Sequence, residues 1–112
     1  AAGRNRSLLA DRTPPAGAKP SAPLDAYTGT YHNDYVGNAV VVRRGTGLSL
    51  RLGPSDHPKV FPLTSWGRDL FSYVPQGETI MARSAVRFDR AKGTVWIERL
   101  DDNGLGTLTR VG

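Results

Sequence analysis

From residue 24 onward the chain alternates apolar and polar positions with a period of two, and glycines recur at 29, 37, 45, 47, 53, 67, 77, 93, 104 and 106. That period turns one face of each segment inward, and glycines at this spacing mark turns, so the pattern predicts short antiparallel strands. The clearest segment is Leu48-Ser49-Leu50-Arg51-Leu52, with three leucines on one face and Ser49 and Arg51 on the other. It pairs with 39–43 across Arg44-Gly45-Thr46-Gly47, whose glycines accept the positive φ of a tight hairpin. Further strands are expected at 29–32, 59–64, 69–74, 84–88, 94–99 and 106–111, eight in all. Pro62 lacks a backbone donor and marks either an edge or a bulge.

Eight consecutive short strands with hairpin-length links predict an all-β fold: an eight-stranded antiparallel up-and-down barrel, which closes its own edges. The expected inward set is Val40, Val42, Leu48, Leu50, Leu52, Phe61, Leu63, Phe71, Tyr73, Val86, Phe88, Val95, Ile97 and Leu108. Side chains of that bulk fill a barrel of eight strands.

Residues 1–23 follow a different pattern. They hold six Ala, four Pro and two Gly, with Leu8 and Leu9 as the large apolar residues. A short helix over 4–12 and an Ala/Pro linker over 13–23 are expected, because prolines without donors and small alanines bury little. The division is therefore 1–23 as the end of a preceding segment plus linker, and 24–112 as the barrel domain. With Ala-Ala-Gly at its start and Met81 as its one methionine, the chain reads as a piece of a longer protein.

Charge changes this picture little. The chain carries 15 Lys and Arg against 10 Asp and Glu, a net +5. Arg4, Arg6, Arg12 and Lys19 against Asp11 place +3 of it in residues 1–23, and the body mixes both signs. No nucleic-acid surface is predicted, since such surfaces show a clustered basic footprint. Without cysteine there is neither a disulfide framework nor a thiol nucleophile. No apolar run approaches the roughly 20 residues of a membrane-spanning helix.

Catalytic templates fail one by one. A Ser-x-x-Lys pair places a lysine where it can take a serine proton, yet the residues three before Lys19, Lys59 and Lys92 are Ala16, Asp56 and Asp89. Ser65 and Ser84 are followed at that spacing by Arg68 and Arg87, and a guanidinium is no base near neutral pH. Tyr31-His32-Asn33 matches a Tyr-x-Asn pattern in which tyrosine can act as a base, but it ends a predicted strand with no Ser-x-x-Lys beside it. His32 and His57 are the two imidazoles, neither with a second histidine at ligand spacing, so no metal or other cofactor is expected. Asp25 is expected to cap the turn before Tyr27, and Asp89 to open the turn at Arg90.

The aromatic residues carry more. Tyr27, Tyr31 and Tyr35 fall within nine residues, and Trp66 stands in an expected loop beside Gly67. Amphipathic rings near loops are typical of contact surfaces. Tyr31, Asn33, Tyr35 and Trp66 are accordingly the candidate binding or interface residues, and Trp96, out of phase with Val95 and Ile97, should face outward.

Residues 24–37, Leu24-Asp25-Ala26-Tyr27-Thr28-Gly29-Thr30-Tyr31-His32-Asn33-Asp34-Tyr35-Val36-Gly37, resemble the opening of a C-terminal accessory domain found in serine β-lactamase-like hydrolases, the D-Ala-D-Ala carboxypeptidase and D-aminopeptidase relatives. Pro62-Leu63-Thr64-Ser65-Trp66 and Asp69-Leu70-Phe71 are similar to its Leu-x-x-Trp and Asp-x-Phe elements. Val86-Arg87-Phe88 and Leu105-Gly106-Thr107-Leu108-Thr109-Arg110 resemble its last strands, with Leu108 where Phe is usual. The resemblance implies a lipocalin-like barrel that is not itself an enzyme and that follows a catalytic domain of the same polypeptide. That domain would be its partner, with self-association a further option, and the setting would be extracytoplasmic. The role implied is to pack on the catalytic domain and shape substrate access or assembly. The competing reading is a lipocalin-like carrier of a small molecule or lipid.

Overall fold

In a computed structural model of the chain, the described residues are 13–53, 56, 58–75, 77, 83–101 and 104–112. Eight strands form a closed barrel in sequence order: β1 (Gly29–Asn33), β2 (Gly37–Arg44), β3 (Gly47–Leu52), β4 (Lys59–Gly67), β5 (Leu70–Tyr73), β6 (Ser84–Asp89), β7 (Thr94–Ile97) and β8 (Thr107–Arg110). Every neighbouring pair is antiparallel, and β1 closes on β8 through Tyr31↔Arg110 and His32↔Thr109. The up-and-down barrel read from the alternation is therefore present.

Helical structure among the described residues is limited to single 3-10 turns. Among the described residues, the segment before β1 holds a single 3-10 turn, Leu24–Ala26, and a second, Glu98–Leu100, follows β7. The latter ends the strand expected at 94–99 two residues early. The helix expected over 4–12, with Leu8 and Leu9, lies outside the described residues, as does His57. Asp25 does not cap the first turn; its carboxylate meets Arg43 Nη1 at 3.5 Å.

The core is Tyr27, Tyr31, Ala39, Val41, Leu48, Leu50, Phe71, Tyr73, Val86, Phe88, Val95, Ile97 and Leu108, with Leu52, Phe61 and Leu63 packed against it. One strand is out of phase with the sequence reading. On β2 the buried residues are Ala39 and Val41, whereas Val40 and Val42 are half-buried. Three consecutive valines leave the phase undetermined, and the decisive residue is the small Ala39, which stands opposite the bulky Tyr31. Pro62 pairs with Ser49 of β3 and lies ahead of the β4–β5 ladder, which begins at Thr64. The missing donor therefore falls where β4 has one strand partner. The bulge lies further on, between Ser65 and Gly67.

Strict alternation of strand direction sorts the connections onto two ends. The entry segment, the turns after β2, β4 and β6, and the C-terminus share one end, called here the entry end. The links after β1, β3, β5 and β7 share the other, called the hairpin end.

Candidate functional site

Four aromatic rings plug the entry end. Tyr27, fully buried just after the first 3-10 turn, meets Phe71 and Phe88 edge-on at centroid distances of 5.2 and 5.0 Å. Phe71 and Phe88 meet at 5.6 Å, and Tyr31 reaches Phe88 at 5.9 Å. Such T-shaped contacts add to the burial energy of the rings. The Tyr27 hydroxyl donates to Asp69 Oδ1 at 2.7 Å, and the same oxygen accepts from Arg90 Nε at 3.0 Å. Arg90 also lies 6.0 Å from the Tyr27 ring centroid. One carboxylate thus ties the entry segment, the β4–β5 turn and the β6–β7 turn together. Burial first, and then the Asp69 bond, hold the Tyr27 phenol above its ordinary pKa, so it stays a donor.

The entry segment is held by two further arginines. Arg43 pairs with Asp25, and Arg110 Nη2 donates to the carbonyl of Thr28. Gly29 permits this crossing: its φ is +143°, and a Cβ there would stand 2.7 Å from the Gly112 carbonyl oxygen and 2.8 Å from Arg110 Nε. Upstream, Pro20 bridges to Arg68, and the Ser21 N–H donates to the Arg68 carbonyl at 3.1 Å. Ala22 packs on the core.

An open groove of about 640 Å³ runs beside this docked segment, lined by Pro15, Ala18, Arg68, Leu70, Arg87 and Phe88 among others. The entry end bears Lys19, Arg43, Arg44, Arg68, Arg87, Arg90, Lys92 and Arg110 against Asp25, Asp69 and Asp89, a net +5. At the hairpin end the described charges balance: Arg51, Lys59, Arg83 and Arg99 against Asp34, Asp56, Glu98 and Asp101.

The four residues singled out from the sequence are scattered by the fold. Tyr31 is 3% exposed, its side chain inside the barrel and its hydroxyl donating to the Tyr27 carbonyl at 3.0 Å. It is a core residue rather than a surface contact. Asn33 is a loop organiser: its Nδ2 donates to the carbonyls of Leu105 and Thr107 at 2.9 and 3.0 Å, and its Oδ1 accepts from the Tyr35 and Val36 N–H groups at 3.0 and 2.5 Å. Tyr35, at the hairpin tip, is 65% exposed. Trp66 is not in a loop but on β4, half-buried, with Nε1 donating to Ser72 Oγ at 2.7 Å and Arg83 stacked 5.3 Å from its ring. Trp96 does face outward, under Arg87 at 5.8 Å. The sequence reading named Asp69 within the Asp-x-Phe element but missed its bond to Tyr27, which spans 42 positions, and the charge asymmetry, which requires knowing which turns share an end.

Among the described residues no group of three His, Asp or Glu converges on a metal-sized site. Ser84 Oγ accepts from the Arg99 N–H at 3.0 Å and donates to the Ala85 carbonyl at 3.2 Å.

The architecture defines a closed, lipocalin-like eight-stranded barrel with a core of aromatic and aliphatic side chains. The chain belongs to the family described as Domain of unknown function (DUF3471), whose model matches residues 13–101. No curated protein matches it. Among solved structures it is similar to the crystal structure of the C-terminal domain of penicillin binding protein Rv0907, with 37% identity, a TM-score of 0.74, and coverage of 88% of this chain and 94% of that one. This likeness agrees with the accessory-domain resemblance in residues 24–112.

Proposed function

We propose that this barrel is a non-catalytic accessory domain that packs on the catalytic domain of the same polypeptide, a serine β-lactamase-like hydrolase of the carboxypeptidase and aminopeptidase type, and shapes substrate access or assembly. The observation that carries it is the 37% identity, over 88% of the chain, to the C-terminal domain of a penicillin-binding protein. The side chains support it. Ser72 Oγ accepts the Trp66 indole N–H, Ser84 Oγ is bonded to backbone, and neither has a lysine at general-base spacing. The packed core, with Phe61 and Tyr73 at 4.9 Å and the four-ring plug at the entry end, favours an accessory role over a carrier. Of the four residues proposed for contact, Tyr35 is the exposed one.

The test compares the full-length parent with a version lacking residues 24–112. A change in kcat/KM, substrate size range, melting temperature or oligomeric state is expected, and identity in all four overturns the reading. The isolated chain should not hydrolyse a chromogenic β-lactam or a D-amino-acid ester above buffer. Turnover abolished by replacing one serine would overturn the non-catalytic assignment.

A further inference from the structure

The two ends of the barrel are unequal in a way the core does not require. At the entry end three cations are used for the fold: Arg43 on Asp25, Arg90 on Asp69 and Arg110 on the Thr28 carbonyl. The other five, Lys19, Arg44, Arg68, Arg87 and Lys92, are exposed and form no ion pair among the described residues. Arg68 and Arg87 flank the groove, and its floor includes the apolar Leu70 and Phe88. Arg68 is also the one described non-glycine residue with positive φ, +53°, a conformation that persists only where the surroundings impose it. Here the two-residue β4–β5 turn, Arg68-Asp69, calls for it, and Pro20 and Ser21 bond to the same residue from the incoming chain.

Resting on the accessory-domain reading above, we propose that the entry end is the face against which the preceding domain sits. Arg68 and Arg87 would meet carboxylates rimming an apolar patch on that domain. Two observations select this occupant. The chain arrives here, docked at Pro20 and Ser21, so the preceding segment joins the barrel at this end. A tether anchored at this end raises the effective concentration of the attached partner at the surface nearest the anchor. The unpaired charge here is positive, so the complementary surface is acidic, and arginine flanking an apolar floor is the composition of an interface centre.

Hydrogen exchange of the full-length parent, compared with this chain alone, separates the possibilities. Extra protection at the β4–β5 and β6–β7 turns is expected, with none at residues 34–36. Protection centred on residues 34–36 overturns the choice of face while leaving the accessory reading intact. No protection anywhere, together with unchanged kinetics on deletion, overturns both. In the second measurement, this chain is titrated with the separately expressed preceding domain. The R68E/R87E pair should weaken association about tenfold, while Arg87→Lys and Tyr35→Ala should stay within about twofold of wild type. Equal weakening by Tyr35→Ala, or no effect of charge reversal, overturns the proposal. So does tight, salt-sensitive binding of a single-stranded oligonucleotide in place of the domain, which would make the face a site for acidic polymers. If R68E/R87E fails to fold by its melting curve, R44E/K92E reverses charge at the same end without touching the groove and is held to the same tenfold expectation.

Discussion

The two ends of one barrel are finished by different chemistry. At the entry end, side chains bind side chains: Tyr27, Asp69 and Arg90 join three separate stretches of chain around a four-ring plug. At the hairpin end, apart from His32, which meets the side chains of Asn38 and Asp34, side chains bind backbone. Asn33 serves two carbonyls and two N–H groups, Glu98 Oε1 accepts the Ala85 N–H at 3.0 Å, and Asp101 Oδ1 accepts the Gly106 N–H at 2.8 Å. The exposed large apolar residues follow the same division. Tyr35, Val74 and Leu105 lie at the hairpin end, whereas the entry end exposes cations and Val111. Strand ends leave polar backbone groups that must be paired. The hairpin end pairs them with side chains from its own loops and strand ends, whereas the entry end also has to anchor an incoming segment, and a shared carboxylate does that.

The largest expected contrast is between two tyrosines eight residues apart. Tyr27→Ala removes a fully buried ring from the plug and leaves Asp69 without its phenol donor, at a cost of about 3–5 kcal/mol. Tyr35→Ala removes an exposed ring and should stay within about 0.5 kcal/mol of wild type. Denaturant unfolding of both variants measures the difference. Similar losses would mean that the hairpin tip is as deeply built into the fold as the plug.

That contrast also marks where the sequence was legible. Alternation and glycine spacing locate all eight strands, because each rests on neighbours in the chain. They do not distinguish Tyr27, Tyr31 and Tyr35, which look alike as an aromatic cluster; one lies after a 3-10 turn, one points into the barrel and one tops a hairpin. Asn33 reads as loop polarity because the carbonyls it holds are 72 and 74 residues away. The phase of β2 was hidden by the run Val40-Val41-Val42, in which either parity looks buried. Gly67 makes Trp66 look like a loop residue, yet that glycine ends β4 at a bulge and Trp66 lies within the strand.

Glycine substitutions probe each end with a smaller effect. Gly29→Ala meets the Gly112 carbonyl at the entry end, and Gly106→Ala meets Asp101 Cα at 2.6 Å and the Ile97 carbonyl at 2.8 Å at the hairpin end. Each should cost about 1–3 kcal/mol through overpacking, with the φ of +143° adding conformational strain at Gly29. Gly45→Ala, with nothing within 4 Å of its Cβ but φ at +61°, should cost about 1 kcal/mol from conformation alone. Equal losses at all three would remove the close-approach explanation.

Asn33→Ala tests the backbone lattice. The half-buried amide makes four hydrogen bonds, and their loss should cost about 1–2 kcal/mol because water replaces part of them. Truncation tests the anchor at the other end. A chain starting at residue 20 should melt like the full one, whereas a start at residue 24 loses the Ser21–Arg68 bond and the Ala22 contact, about 1 kcal/mol. Identical melting of both would move the domain boundary back to residue 23.

The smallest effect separates the ends by pH. His32, on the outer face of β1, has Nδ1 2.7 Å from Asn38 Oδ1 and Nε2 3.1 Å from Asp34 Oδ1. Both neighbours are acceptors, and only the imidazolium can donate to both at once. The Asn38 bond, and then Asp34, therefore raise the His32 pKa above 6.5. A pKa raised by folding stabilises the native state fully below about 6.5, and that contribution is lost as pH climbs through the higher folded value. Melting temperature should therefore fall slightly between pH 5.5 and 8, and His32→Asn should flatten that slope. The exposed side chain keeps the change small, since water screens the pair. The direct measurement is an NMR titration of the His32 ring, with a midpoint above 6.5 expected; a midpoint at or below 6.5 would remove the double-acceptor geometry. At the entry end the Asp69 bond pushes the Arg90 pKa further up from its already high value, so the Tyr27–Asp69–Arg90 cluster keeps its arginine charged across the same range. The variants Tyr27→Phe and His32→Asn should thus differ in kind. The first shifts the melting curve equally at pH 5.5 and 8, and the second shifts it at pH 5.5 alone.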